Sequence, residues 1–321
     1  MNYKPILIVS GEPNSIFLEI LIKSIKIKKT KSPIILICSK KLLYLQMKTL
    51  NSKIAINEIE VKDALKLEID KKKINLIDVN FEVEKAFTKI SSKSNNYIEN
   101  CFKIALNLLN RKITNKFING PISKKFFLKK KFLGITEYLV NKTNTKTYAM
   151  LIYNKSLAVC PLTTHLPLRL VAKEIKKKNI NEKLLLINDF YKKNFKTTPR
   201  IAVTGLNPHC ESILNFNEDN QLIKPLIKKL SKLKYKISGP FSADTMFTKN
   251  NRKQFDVVLG MYHDQVLTPM KTLFEFDAIN ITLGLPFLRV SPDHGPNENM
   301  LGKNKSNPLS LIKAIEFLDK N

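Results

Sequence analysis

The chain has 321 residues, 43% of them hydrophobic, and 55 Lys and Arg stand against 27 Asp and Glu, a formal charge of +28. That length corresponds to about two domains or one large α/β unit at ~100–200 residues each, and the apolar fraction excludes intrinsic disorder. The absence of any ~20-residue apolar stretch or signal-like N-terminus predicts a cytoplasmic protein with no membrane partner.

In chain order, short apolar and β-branched runs predict strands at 5–9, 33–38, 74–79, 147–153, 157–162, 200–204, 256–259 and 278–283. Helical periodicity predicts helices at 15–27, 97–109, 181–190 and 309–318. In the second helix Tyr97, Ile98, Cys101, Phe102, Ala105, Leu108 and Leu109 recur at three- and four-residue steps, giving one apolar face. Strands alternating with helices predict an α/β fold with a mostly parallel sheet covered on both faces. Such a sheet binds ligands at the carboxyl ends of its strands.

The residues just past each strand are therefore the informative ones. Three of the four histidines, His165, His209 and His263, close the runs LAVCPLTTH, IAVTGLNPH and VVLGMYH. If those runs are parallel strands of one sheet, the three imidazoles leave the same edge. Converging neutral imidazoles suit a divalent cation such as Zn²⁺, Co²⁺ or Mn²⁺. Asp244, in GPFSADTMF after the short β-like run KIS, is either a proton acceptor beside such a metal or a helix cap. Lys271, Asn280 in AINITLGL, and Arg289 in a Pro/Gly-flanked loop are candidates for phosphate recognition, the guanidinium fork above all.

The basic residues are nearly all Lys spread along the chain, with Arg only at 111, 169, 200, 252 and 289. Nucleic-acid sites favour Arg forks interleaved with aromatics, so solvated lysine faces and no nucleic-acid partner are expected. Cys38, Cys101, Cys160 and Cys210 form no CxxC pair, which excludes a zinc ribbon and predicts buried thiols. No GxGxxG occurs, so any dinucleotide binds without the ordinary Rossmann fingerprint.

Taken together, NGPISK (119–124), GITEYL (134–139), TTHLPL (163–168), GLNPHCE (205–211), GPFSADTMF (239–247), MYHDQVLTPMK (261–271) and INITLGLPFLRVSPDHG (279–295) occur in order. This series resembles the 4-hydroxythreonine-4-phosphate dehydrogenases of pyridoxal phosphate (pyridoxine) biosynthesis, over most of the chain from Gly11 to Pro308.

The resemblance implies an isocitrate/isopropylmalate dehydrogenase-like fold, with two α/β domains flanking an active-site cleft. Residues 1–128 plus 297–321 would form a discontinuous first domain, and 129–296 a second domain carrying the metal ligands. It implies a homodimer in which His165, His209 and His263 bind the metal (zinc, cobalt or magnesium) at a site shared between subunits. It also implies substrate contacts from Thr136, Lys271, Asn280 and Arg289, and a cofactor-side segment containing Gly295 and Asn299. The implied oxidoreductase reaction oxidises 4-phosphooxy-L-threonine with NAD or NADP. Its product, 2-amino-3-oxo-4-phosphooxybutanoate, then loses CO2 to give 3-amino-2-oxopropyl phosphate.

Three departures bear on substrate and cofactor. Ile135 stands where the family has His. The N-terminal segment Gly11-Glu12-Pro13-Asn14-Ser15-Ile16-Phe17-Leu18 lacks two of the family's glycines. Pro296 follows Gly295 where a Thr is usual, and Asn299 replaces an Asp. They leave open a related phosphorylated four-carbon acid, a phospho-threonate or phospho-erythronate, as the substrate.

Overall fold

The computed structural model describes residues 3–129, 131–292 and 294–320. Among them lie twelve strands: β1 (Ile6–Val9), β2 (Ile34–Cys38), β3 (Ile56–Glu58), β4 (Ile74–Asp78), β5 (Lys116–Asn119), β6 (Ala149–Tyr153), β7 (Ala158–Pro161), β8 (Ile201–Thr204), β9 (Ile237–Phe241), β10 (Val257–Gly260), β11 (Ile279–Leu283) and β12 (Leu288–Pro292). Two compact units are formed, one by Met1–Asn144 with Pro286–Asn321 and the other by Thr145–Leu285.

In the first unit the strand order is β3-β4-β2-β1-β5-β12, and every neighbouring pair is parallel. β1 and β2 are buried at each position, which is why they read as unbroken apolar runs, ILIV and IILIC. Helix Asn95–Asn110 buries the apolar face expected of it, from Tyr97 to Leu109. The Tyr97 hydroxyl also accepts from Ser39 N at 3.1 Å and pairs with Ser10 Oγ at 2.9 Å, tying that helix to the ends of β1 and β2.

Three strands of this unit escape the sequence pattern. β3 is short and partly exposed, so it presents no apolar run. β5 and β12 each contain a buried cation, Lys116 at 4% and Arg289 at 1% exposure, and a charged residue masks a four- or five-residue strand. Lys116 Nζ donates to Ser32 Oγ at 3.1 Å, and burial pulls its pKa down.

The second unit has the order β11-β6-β7-β10-β8-β9. Here β6 runs antiparallel to both β11 and β7, while β7, β10, β8 and β9 are mutually parallel. The antiparallel step follows from a tight turn in place of a crossover helix: Asn154 N donates to Leu157 O at 3.2 Å, and Ser156 N donates to Asn154 Oδ1 at 2.8 Å. Met150, Ile152, Val159, Ala202, Val258 and Val266 pack into one buried cluster. Burial of each large aliphatic side chain contributes roughly 1.5–3 kcal/mol. Helix Lys177–Phe195 extends the predicted 181–190 in both directions. Among the described residues no helix is long and apolar enough to cross a membrane.

Candidate active site

The three histidines leave three adjacent parallel strands. β7 pairs with β10 (Gly260 opposite Pro161), and β10 pairs with β8 (Leu259 opposite Val203). His165 follows β7, His263 opens helix His263–Phe274 after β10, and His209 follows β8. The His165 and His263 rings lie side by side, with centroids 5.7 Å apart and planes at 37°. His263 Nδ1 lies 2.7 Å from Asp264 Oδ1. A carboxylate oxygen only accepts, so Nδ1 carries the hydrogen of this contact.

His209 does not complete a triad in the single chain: among the described residues no group of three His, Cys, Asp or Glu is spaced to hold a metal. Its loop is nevertheless closely specified. Asp219, fully buried, accepts from Leu206 N at 2.7 Å, Asn207 N at 3.1 Å and Asn207 Nδ2 at 3.0 Å. A Cβ on Gly205 would meet Cys210 Sγ at 2.6 Å and Asp219 Oδ1 at 2.8 Å, so only glycine fits there. His209 and Cys210 both have left-handed backbones, with φ of 55° and 61°. Such conformations cost of order 1–3 kcal/mol each in non-glycine residues and persist where the surroundings impose them. Gln265 links this loop to the His263 helix. Its Nε2 donates to Gly205 O at 2.8 Å, while its Oε1 accepts from Met261 N at 2.7 Å and Thr204 Oγ1 at 2.8 Å.

Asp244 lies in the first turn of the short helix Ala243–Met246 and is exposed. Ser242, not Asp244, occupies the cap position, and Ser242 Oγ stands 3.5 Å from His209 Nδ1. Asp244 is also one of the carboxylates, after burial and Asp219, that push the Cys210 thiol up. Lys271 lies in the last turn of helix His263–Phe274. Asn280 sits in β11 opposite Ile152, and its Oδ1 is buried without a hydrogen-bond partner. An unmet buried acceptor costs ~1–3 kcal/mol.

In the first unit Arg289 is not in a loop, as its Pro and Gly neighbours suggest, but inside β12. Gly284 and Pro286 precede the strand and Pro292 ends it. Its Nε donates to Asn119 Oδ1 at 2.8 Å and its Nη1 to Thr136 Oγ1 at 3.3 Å. Burial pulls the Arg289 pKa down to about 10, opposed by the nearby Glu137 carboxylate. Glu137 Oε2 is itself buried, with no hydrogen-bond partner among the described residues. Ile135, half-buried, opens helix Ile135–Lys142 beside Thr136.

The loop after β1 meets the segment after β12, for Ile16 N donates to Pro296 O at 3.2 Å. Glu12 is 1% exposed and accepts from Asn14 N at 3.2 Å and Ser94 Oγ at 3.1 Å; burial raises its pKa despite those bonds. Gly295 and Asn299 are exposed, and among the described residues nothing lies within 4 Å of a Cβ placed on Gly295. Asp293 lies outside the described residues.

The structure thus pairs His165 with His263 and Thr136 with Arg289. It also brings forward three positioning side chains not singled out in the sequence, Asn119, Glu137 and Asp219, and shows what Gln265 does. Gln265 had a signal, its place in MYHDQ; Asp219, distant in sequence from every motif, had none.

The family profile of pyridoxal phosphate biosynthetic protein PdxA matches residues 29–318. The 4-hydroxythreonine-4-phosphate dehydrogenase of Sulfurihydrogenibium sp. (strain YO3AOP1) is 39% identical over 316 residues, 97% of this chain and 96% of that protein. The D-threonate 4-phosphate dehydrogenase of Pectobacterium atrosepticum is 30% identical over 329 residues, 98% of each. A crystal structure of 4-hydroxythreonine-4-phosphate dehydrogenase from Klebsiella pneumoniae superposes with a TM-score of 0.83 at 27% identity, covering 98% of both chains. A β-decarboxylating dehydrogenase from Thermococcus kodakarensis shares the fold alone, with a TM-score of 0.50 at 9% identity over 98% of this chain and 81% of that one. The α/β fold, the ordered motifs and these likenesses agree: the chain belongs to the pyridoxal phosphate biosynthetic protein PdxA family.

Proposed function

We propose that this protein is a metal-dependent NAD(P)⁺-linked dehydrogenase of 4-phosphooxy-L-threonine, acting in the cytoplasm in pyridoxine biosynthesis. The observation that carries the reading is the imidazole pair His165 and His263 at the carboxyl ends of neighbouring parallel strands, 5.7 Å apart, with His263 oriented by Asp264. The donor chemistry suits zinc, cobalt or magnesium with decreasing preference for nitrogen ligands. His209 is the third donor in this reading.

A dimer completes the site. Ile213, Leu214 and Phe216, just beyond His209, are 104%, 69% and 50% exposed, an apolar segment that a second copy would cover. Bound metal would acidify the substrate alcohol and polarise the new ketone, and the dinucleotide, on the Gly295 and Asn299 side, would take the hydride.

The chain's own residues supply the rest. Arg289, with Thr136 on its Nη1, offers a buried fork of N–H donors to phosphate. Lys271 adds charge, and the polar tip of Asn280 meets a substrate group. Asp244, beside His209 through Ser242, accepts the alcohol proton. Oxidation at C3 leaves a β-keto acid, so loss of CO2 to 3-amino-2-oxopropyl phosphate needs no further redox partner.

A second reading rests on Ile135. An aliphatic side chain at the helix start beside Thr136 cannot donate a hydrogen bond, which favours a phosphorylated four-carbon acid such as phospho-threonate or phospho-erythronate. The test is NADH formation by absorbance with 4-phosphooxy-L-threonine, NAD⁺ or NADP⁺, and each metal in turn, with His209→Ala as control. Metal-dependent turnover lost in the variant is the expected result. Turnover only with phospho-threonate or phospho-erythronate moves the assignment to the second reading, and none with any of them ends both.

A further inference from the structure

The amino-end edge of the first unit's sheet has its own architecture. Four segments that enter parallel strands meet there: Tyr3 to Pro5 before β1, Lys31 to Pro33 before β2, Lys71 to Lys73 before β4, and Lys112 with Ile113 before β5. They enclose a cavity of about 390 Å³, and a second of about 330 Å³ adjoins it, with Lys71 lining both.

The two cavities differ in chemistry. The larger has an apolar wall, including Leu67, Ile69 and Ile113, with Tyr3 at its rim and Lys31 Nζ 5.8 Å over the Tyr3 ring. Tyr3 and Leu67 are among the exposed large hydrophobic residues of the chain, at 38% and 48%. The smaller cavity is lined by Lys28 and Lys29 on one side and by Lys71, Lys72 and Lys73 on the other.

Among the described residues no Asp or Glu lines either cavity. Three carboxylates outside the lining bond to residues within it or beside it. Asp70 Oδ1 accepts from Lys72 N at 2.7 Å and Lys73 N at 2.9 Å, fixing the lysine turn. Asp319 caps Lys31 N and Ser32 N, and Glu316 pairs with Lys28 at 3.1 Å. Helix C-termini account for Lys28, Lys29 and Lys112, which follow helices Phe17–Ile27 and Asn95–Asn110. They do not account for Lys4, Lys31 or the run 71–73.

We propose that the paired cavities form a binding site for a nucleoside di- or triphosphate, with the base against the Tyr3 and Leu67 wall and the phosphates on Lys71, Lys72 and Lys73. A flat ring explains exposed apolar side chains, and clustered lysines with no acid in the lining explain the phosphates. A nucleic-acid strand is the weaker fit, because the surface is concave and, among the described residues, holds one aromatic ring and no Arg. The site lies at the amino ends of the strands, away from the loops proposed for the dinucleotide, so it goes beyond the dehydrogenase reading.

The test is calorimetric titration of the full chain with ADP, ATP, inorganic pyrophosphate and a single-stranded RNA oligonucleotide, each with and without saturating NAD⁺. Expected is ADP binding that NAD⁺ does not displace, weakened at least tenfold in Lys71→Glu/Lys72→Glu. Leu67→Asn should weaken ADP severalfold and leave pyrophosphate unchanged, which also reports that the variant is folded. Three outcomes overturn the proposal. ADP fully displaced by NAD⁺ places it at the dehydrogenase cofactor site. Equal affinity for ADP and pyrophosphate, both indifferent to Leu67→Asn, leaves only diffuse lysine attraction. RNA binding tighter than ADP reassigns the surface to nucleic acid.

Discussion

Arg289 Nε donates to Asn119 Oδ1 at 2.8 Å, so the buried cation of β12 is held at the carboxyl end of β5. The same guanidinium reaches Thr136 and feels the Glu137 carboxylate. One strand-borne charge thereby organises three segments of the first unit.

Removing the acceptor exposes how much this arrangement contributes. Asn119→Ala should destabilise the fold by about 1–3 kcal/mol, because a charged donor loses its partner in a buried setting. Urea unfolding monitored by circular dichroism measures it, and an unchanged midpoint would show that Arg289 finds another acceptor at no cost. Arg289→Lys keeps the charge but not the fork. It should raise KM for the phosphorylated substrate at least tenfold while changing kcat less.

Glu12 makes a prediction about pH. Burial raises its pKa above the ordinary 4.5, so the folded state holds this proton more tightly than the unfolded chain. The stability it contributes is fully present below pH 4.5 and is lost as pH rises through the folded value. Relative to Glu12→Gln, the wild type should therefore lose stability on going from about pH 4 to about pH 7. Denaturation of both proteins across that range checks the sign, and parallel curves would refute it.

The cysteines separate by accessibility. Burial pushes Cys101 and Cys160 up to about 12 and raises Cys38 well above its ordinary value, and all three are 0% exposed. Cys210 is only partly buried. Iodoacetamide at about pH 8 should label Cys210 in the native protein and the other three only after denaturation, as read by peptide mass mapping. Because Cys210 adjoins His209, labelling should also abolish turnover. Early modification of Cys38 would contradict the packing of β2.

Gly205→Ala probes the His209 loop without changing any of the three histidines. The added methyl meets Cys210 Sγ and Asp219 Oδ1 at 2.6 and 2.8 Å, so the loop must move. Turnover should fall at least tenfold and stability by about 1–3 kcal/mol. Wild-type activity in this variant would mean that the left-handed pair His209 and Cys210 tolerates displacement.

The sheet was legible wherever its strands are uniformly apolar. Ile34–Cys38 and Val257–Gly260 announce themselves, because burial on both faces leaves only hydrophobic choices. Lys116 and Arg289 hid β5 and β12 because their charges are satisfied by partners 84 and 170 positions away, beyond the reach of any local pattern. The histidines were legible through their place after strands. Asp219 was not, since its role depends on chain folding back onto residues 206 and 207. Arg289 was misplaced in a loop because proline and glycine mark turns beside a strand as readily as inside one.

The pairing of β12 with β5 also sets an order of assembly. The second unit is continuous in sequence, from Thr145 to Leu285, and can close as soon as it leaves the ribosome. The first unit begins earlier but must wait, its β5 margin uncovered, until the segment from Pro286 onward has been synthesised. A stall late in translation would therefore leave a finished second half attached to an unfinished first, with the backbone of β5 open to the wrong strand.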